Sequence, residues 1–73
     1  MELSPHLLKR MIDRQFSEVD LRRMLEHAFR VREDIVEGRW VAEARHLKKP
    51  WEVVIEPDFV VRVVVVVTAY PLR

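Results

Sequence analysis

The chain has 73 residues, and its 13 basic and 12 acidic residues leave a formal net charge of +1 at pH 7. This length suits a single domain, and a content of 49% hydrophobic and 34% charged residues excludes a disordered or low-complexity chain. The absence of cysteine excludes disulfide stabilisation and favours a cytoplasmic setting, and no apolar stretch is long enough to predict a membrane span.

The first predicted element is a helix from Pro5 to about Arg14. Ser4 can accept a hydrogen bond from a free backbone N–H, and Pro5 suits the first helical position. His6, Arg10 and Arg14 follow one another at four-residue spacing and should share one basic face. An apolar stripe on another side predicts the buried face: Leu7, Leu8, Met11 and Ile12.

A second helix is predicted from Ser17 to about Ala28. Ser17 and Asp20 have the spacing of a capping box, and Phe16 can pack on Leu21 as a hydrophobic staple. The connection between the two helices is short, so we expect them to pack as neighbours.

The rest of the chain has the pattern of strands. Residues 31–36 predict a short strand or an irregular lead-in, and residues 39–47 predict a strand with one charged face. Another strand is predicted over residues 51–56, with a hairpin turn at Pro57 and Asp58. The valine-rich run from Val60 to Tyr70 predicts a strand that is covered on both faces and lies in the middle of the sheet.

These elements predict an α+β fold, with two N-terminal helices packed on one face of a three- to four-stranded antiparallel sheet. All 73 residues belong to one domain in this interpretation. The predicted core consists of seven side chains: Leu8, Met11, Leu21, Leu25, Val63, Val65 and Val67. Strand parity also favours core positions for Trp40 and Trp51 over a role in stacking on nucleic-acid bases.

Thr68 and Tyr70 lie two residues apart, so they share one face at the end of the valine strand. This hydroxyl pair can be functional. The structural alternative is that threonine and tyrosine are good strand formers near the wet end of a sheet.

A pattern over nearly the whole chain resembles a family of small bacterial domains. It consists of His6-x-x-x-Arg10-Met11-x-x-Arg14, then Phe16-Ser17-Glu18 at the second helix, and Val67-Thr68-Ala69-Tyr70 at the end of the last strand. That family is grouped with the RelE-like, barnase, EndoU and colicin (BECR-fold) ribonuclease toxins. The resemblance implies an RNA-binding or RNA-cleaving toxin domain that a partner antitoxin protein normally silences.

Metal-free RNA cleavage needs a base, an acid and cations, because the neighbouring 2′-hydroxyl attacks the phosphorus. With the resemblance, His6 is the candidate base or acid, and Arg10 and Arg14 are candidates for holding the phosphate. Thr68 and Tyr70 could donate to the phosphate or protonate the leaving group. The structural alternative is an ordinary first-turn histidine followed by solvated arginines.

A second basic cluster consists of Arg45, His46, Lys48 and Lys49, with the first three as the candidate substrate-binding residues. It either follows an RNA backbone as a substrate-binding surface or simply marks a turn. The three histidines lack metal-ligand spacing with cysteine or carboxylate residues, and one glycine is too few for a phosphate-binding loop. We therefore expect no metal and no cofactor.

Two functions from different classes remain. The first is a metal-independent ribonuclease toxin, which requires His6, Arg10 or Arg14, and Thr68 or Tyr70 to meet in one cleft. The second is a non-catalytic interaction module that forms a homodimer or binds a partner through an unpaired sheet edge. A homodimer is expected because so small a domain has a limited core and an unprotected edge.

Overall fold

The computed structural model describes residues 1–72 and contains two helices and one five-stranded sheet. In chain order the elements are β1 (Glu2–Leu3), α1 (Pro5–Asp13), α2 (Glu18–Glu26), β2 (Arg30–Glu33), β3 (Trp40–His46), β4 (Lys49–Asp58) and β5 (Val63–Pro71). The strand order is β1-β5-β4-β3-β2. Neither described helix has the length and hydropathy needed to cross a membrane.

The predicted α+β class is confirmed, but the strand count and the purely antiparallel pairing were wrong. β1 precedes the helices and pairs in parallel with β5, whereas the other three pairings are antiparallel. A strand of two residues carries no periodic pattern, which is why the sequence does not predict it.

Both helices begin where local capping chemistry predicts. The Ser4 hydroxyl accepts a hydrogen bond from the Leu7 N–H at 3.0 Å. At α2 the Ser17 hydroxyl accepts from the Asp20 N–H at 3.1 Å, and the Asp20 carboxylate accepts from the Ser17 N–H at 2.9 Å. The backbone hydrogen bond from Ser17 lowers the pKa of Asp20.

The core lies between the two helices and one face of the sheet. Its fully or nearly buried members are Leu7, Phe16, Leu21, Met24, Ala42, Ala44, Trp51, Val53, Val66 and Ala69. The rings of Phe16 and Trp51 meet edge to face with centroids 5.2 Å apart. The core position predicted for Trp51 is therefore confirmed, whereas Trp40 is half-buried.

The predicted core positions in the valine strand were wrong. Val63, Val65 and Val67 are only half-buried, while Val66 is 0% exposed. The pairing of β4 with β5 passes from Val54–Thr68 to Ile55–Val66, which leaves Val67 without a direct partner as a bulge. On α1, Leu8 is 50% exposed because the helix packs through Leu7.

The turn before β5 also differs from the prediction. β4 continues through Pro57 to Asp58, and residues 59–62 form the turn. The Asp58 carboxylate accepts hydrogen bonds from the Val60 and Val61 N–H groups at 3.0 and 3.3 Å. The turn therefore follows Asp58, whereas the prediction placed it at Pro57 and Asp58. β4, not β5, is the central strand of the five.

The residues that flank α1 donate hydrogen bonds to backbone carbonyls on the outer edge of β5. The Ser4 hydroxyl donates to the Val67 carbonyl at 2.6 Å, and Arg14 Nη1 donates to the Ala69 carbonyl at 2.8 Å. The opposite edge of the sheet is β2, which pairs only with β3. Within residues 1–72 both helices lie on one face of the sheet, so the other face is open.

Candidate functional site

Polar side chains from four neighbouring strands line up on the open face. Ala69 belongs to the helix-covered core, so Thr68 and Tyr70 on either side of it point to the open face. In the sheet register Tyr70 lies opposite Glu52, and Glu52 lies opposite Glu43. We name this group the open-face cluster, and its members are Arg30, Arg32, Glu43, Glu52 and Tyr70.

The Glu52 carboxylate is the centre of the open-face cluster. Tyr70 Oη donates a hydrogen bond to Glu52 Oε1 at 2.6 Å, and Arg32 Nη2 donates to Glu52 Oε2 at 2.6 Å. The Glu52 side chain is only 12% exposed. Both oxygens therefore have a strong donor in a partly dehydrated setting, where hydrogen bonds to a charged group hold it in one orientation.

Glu43 is a second carboxylate directly across from Glu52. Like charges in this position repel each other, and two guanidinium groups offset the repulsion. Glu43 Oε2 lies 3.3 Å from Arg30 Nε and 3.9 Å from Arg32 Nε. This oxygen is buried and accepts no hydrogen bond from the described residues, so its charge is balanced through its ion pairs with the two guanidinium groups.

The same contacts change the acidity of Tyr70. The hydrogen bond to Glu52 raises the pKa of the Tyr70 phenol to about 12, and burial and the Glu52 charge act in the same direction. The phenol is therefore a neutral hydrogen-bond donor at physiological pH.

Apolar side chains form a floor beneath the open-face cluster. Val41 is 2% exposed and Val54 is 7% exposed, although no helix covers this face. Val41 lies opposite Val54, and Val54 lies opposite Thr68. The long polar side chains must supply the cover. A dry floor strengthens the electrostatic interactions above it.

The five predicted catalytic residues do not form one cluster. His6 and Arg10 belong to α1 in the helical layer, whereas Thr68 and Tyr70 face the open side of the sheet. Arg10 Nη1 pairs with Asp13 Oδ2 at 3.1 Å, and Arg14 binds the backbone at Ala69. Within residues 1–72 no hydrogen bond or ion pair joins His6 or Arg10 to either hydroxyl residue.

The second predicted basic cluster is divided by strand parity. Arg45 is exposed on the open face, whereas His46 lies on the helix side, with its ring 5.5 Å from that of Trp51. Lys48 is exposed in the turn between β3 and β4.

His27 is the C-cap residue of α2. The described part of the chain has no group of three or more residues suited to hold a metal ion.

Sequence reasoning missed four members of the open-face cluster: Arg30, Arg32, Glu43 and Glu52. The alternation over residues 39–47 does indicate a charged face, and Glu43 belongs to it. The pattern does not reveal the register between strands. That register places Glu43 opposite Glu52 and brings the arginines of β2 close to these two carboxylates.

No family model, curated protein or solved structure matches this chain. The resemblance to RelE-like ribonuclease toxins stays a prediction.

Proposed function

We propose that this protein is a metal-independent ribonuclease of the toxin type and that the open-face cluster is its active site. The observation that carries the proposal is the Glu52 carboxylate held between a phenol and a guanidinium at 2.6 Å each. A base, an acid and cations are what 2′-hydroxyl attack on a phosphodiester requires. The open face leaves room for an RNA strand above these groups.

In the proposed reaction Glu52 accepts the proton of the 2′-hydroxyl as the 2′-oxygen bonds to phosphorus. Tyr70 turns its single hydroxyl proton from Glu52 to the 5′-oxygen and gives it up as the bond from phosphorus to that oxygen breaks. A phenol with a pKa of about 12 can do this, because the departing alkoxide is a stronger base than phenolate. Arg30 and Arg32 stabilise the charge that develops on the phosphoryl oxygens.

The products of this step are a 2′,3′-cyclic phosphate and a 5′-hydroxyl. Afterwards Glu52 carries the extra proton and Tyr70 lacks one. Once the products leave, protonated Glu52 donates to the phenolate across the same short contact, which returns the proton and resets both groups without a separate carrier. Thr68, opposite Val54 on the same face, would orient the substrate through its hydroxyl.

The proposal is tested by RNA cleavage in the presence of a metal chelator. Glu52→Gln should lower the cleavage rate by roughly 10²- to 10⁴-fold, the usual loss for a general acid or base. Glu18→Gln is the matched control, since Glu18 pairs with Arg22 at 2.9 Å on the exposed surface of α2. Equal rates for the wild type and Glu52→Gln would contradict the proposal.

The substrate offers a second test. An RNA with one 2′-deoxy nucleotide at a mapped cleavage site lacks the proposed nucleophile at that position only. We expect cleavage to stop there and to continue at the other sites. Cleavage at the deoxy position would exclude attack by the 2′-hydroxyl.

A second candidate function is a protein-interaction module, and the unpaired β2 edge favours it. Val31 on this strand is 55% exposed, and Phe29 just before it is 63% exposed. A second copy of the chain or an antitoxin protein could add a strand there. If the wild type sediments as a dimer and Val31→Lys as a monomer, the edge forms the interface. A wild type that remains monomeric at tens of micromolar would exclude the homodimer.

A further inference from the structure

A pocket lies on the helix side of the sheet, at the end where β3 turns into β4. Its cavity volume is about 360 Å³, and it is lined by the cationic side chains of Arg14 and Lys49 and by the imidazole of His46. Leu47 and Pro71 add apolar surface beside them, with Trp51 below. We name this cavity the end pocket.

Within the described part of the chain, no ion pair offsets the positive charge of Arg14 and Lys49 in the end pocket. None of its lining residues is acidic. Within residues 1–72 neither Arg14, His46 nor Lys49 forms an ion pair with a carboxylate. The pKa of Asp20 is lowered chiefly by hydrogen bonds from Ser17 and to a smaller extent by His46, and its carboxylate is held by the N–H and hydroxyl of Ser17.

Arg14 is held in place for binding. Its Nη1 donates to the Ala69 carbonyl at 2.8 Å, which fixes the guanidinium and leaves its other N–H donors without a protein partner in the described chain. An immobilised donor loses less conformational entropy when a ligand binds.

The backbone around the end pocket is strained. Gln15, Leu47 and Lys48 have φ values of +53°, +51° and +65°, and Arg62 is the only other non-glycine residue with positive φ in residues 1–72. A two-residue hairpin turn of this kind normally uses Asn-Gly, since larger side chains disfavour positive φ. Strained backbone conformations are frequent at binding and catalytic sites, where the surrounding structure maintains them.

We propose that the end pocket binds a phosphate monoester attached to a nucleobase, either a free nucleoside monophosphate or the phosphorylated end of an RNA strand. Arg14 and Lys49 bind the phosphate, and the apolar side chains of Leu47 and Pro71 cover the base. The cavity is large enough for such a ligand, since small-molecule pockets begin at roughly 300 Å³. This site is on the other face from the open-face cluster and does not depend on cleavage there.

Trp51 gives a direct readout, because its ring forms part of the pocket wall. In a Trp40→Phe background Trp51 is the only tryptophan, so the fluorescence reports on this residue alone. The protein is titrated with adenosine monophosphate and with adenosine, and then with one short RNA that either carries or lacks a 5′-phosphate. We expect saturable binding of the phosphorylated ligands and at least tenfold weaker binding of their unphosphorylated counterparts. The response to the nucleotide and to the RNA end separates the two sources.

Two variants localise the binding. Arg14→Ala and Lys49→Ala should each weaken nucleotide binding by about tenfold or more, the loss expected for one charge-assisted hydrogen bond. Arg22→Ala on the exposed surface of α2 is the matched control and should bind as the parent does. Lys49→Ala guards against a loss of folding in Arg14→Ala, because Lys49 makes no side-chain hydrogen bond in the described chain. Equal binding of phosphorylated and unphosphorylated ligands, or unchanged binding in both variants, would overturn the proposal.

Discussion

At the scale of single residues, Glu52 determines the properties of its neighbours. Its carboxylate accepts from a phenol on one oxygen and from a guanidinium on the other. The first contact keeps Tyr70 protonated, and the second holds Arg32 between two carboxylates. The proposed acid, base and cation therefore form one connected unit, in which a change to one group alters the others.

Tyr70 is the only tyrosine in the chain, so its ionisation can be followed by the absorbance of phenolate. We expect a pKa of about 12 in the wild type. Glu52→Gln removes the negative charge and weakens the hydrogen bond, so the pKa should fall toward the ordinary value near ~10. A wild-type pKa at the ordinary value would mean that the hydrogen bond does not form in solution.

The raised pKa of Tyr70 also predicts how stability depends on pH. The folded state favours the protonated phenol, so its contribution is complete below the unfolded pKa near ~10 and is lost as the pH rises through about 12. The free energy of unfolding of the wild type should exceed that of Tyr70→Phe at neutral pH. The difference should shrink across this alkaline window in urea titrations. A difference that does not change there would contradict the linkage.

At the scale of elements, local signals predicted the helices and failed to predict the register of β5. Ser4 and Ser17 cap helices through groups within three residues, so the sequence contains the whole interaction. The parity of β5 depends on the bulge at Val67, which lies in its pairing with β4. Five successive valines carry no alternation that could reveal such a shift.

The corrected parity gives a stability test with an internal control. Val66→Ala should lower the free energy of unfolding by roughly 2 to 3 kcal/mol, because Val66 is fully buried in the core. Val65→Ala, on the other face and half-buried, should cost less than about 1 kcal/mol. Chemical denaturation of both variants measures the two costs. If Val65→Ala lowers the free energy of unfolding more than Val66→Ala does, Val65 faces the core as the sequence predicted.

At the scale of the whole molecule, the two layers separate two groups of polar residues. The sequence correctly predicts that Thr68 and Tyr70 share a strand face, because strand parity is local. It does not reveal that this face is turned away from α1, since that depends on which side of the sheet the helices cover. His6 and Arg10 therefore share a helix face without meeting the hydroxyl residues. Glu52 lies beside Tyr70 instead, and Glu43 lies on the far side of Glu52.

The most direct test of the proposed active site compares Glu52→Gln with His6→Ala in a single-turnover RNA cleavage assay under metal-free conditions. The geometry predicts a loss of roughly 10²- to 10⁴-fold for Glu52→Gln and a rate close to that of the wild type for His6→Ala. Circular dichroism of both variants verifies that they are folded. The reverse result, with His6→Ala inactive and Glu52→Gln active, would contradict the assignment of the open-face cluster as the active site.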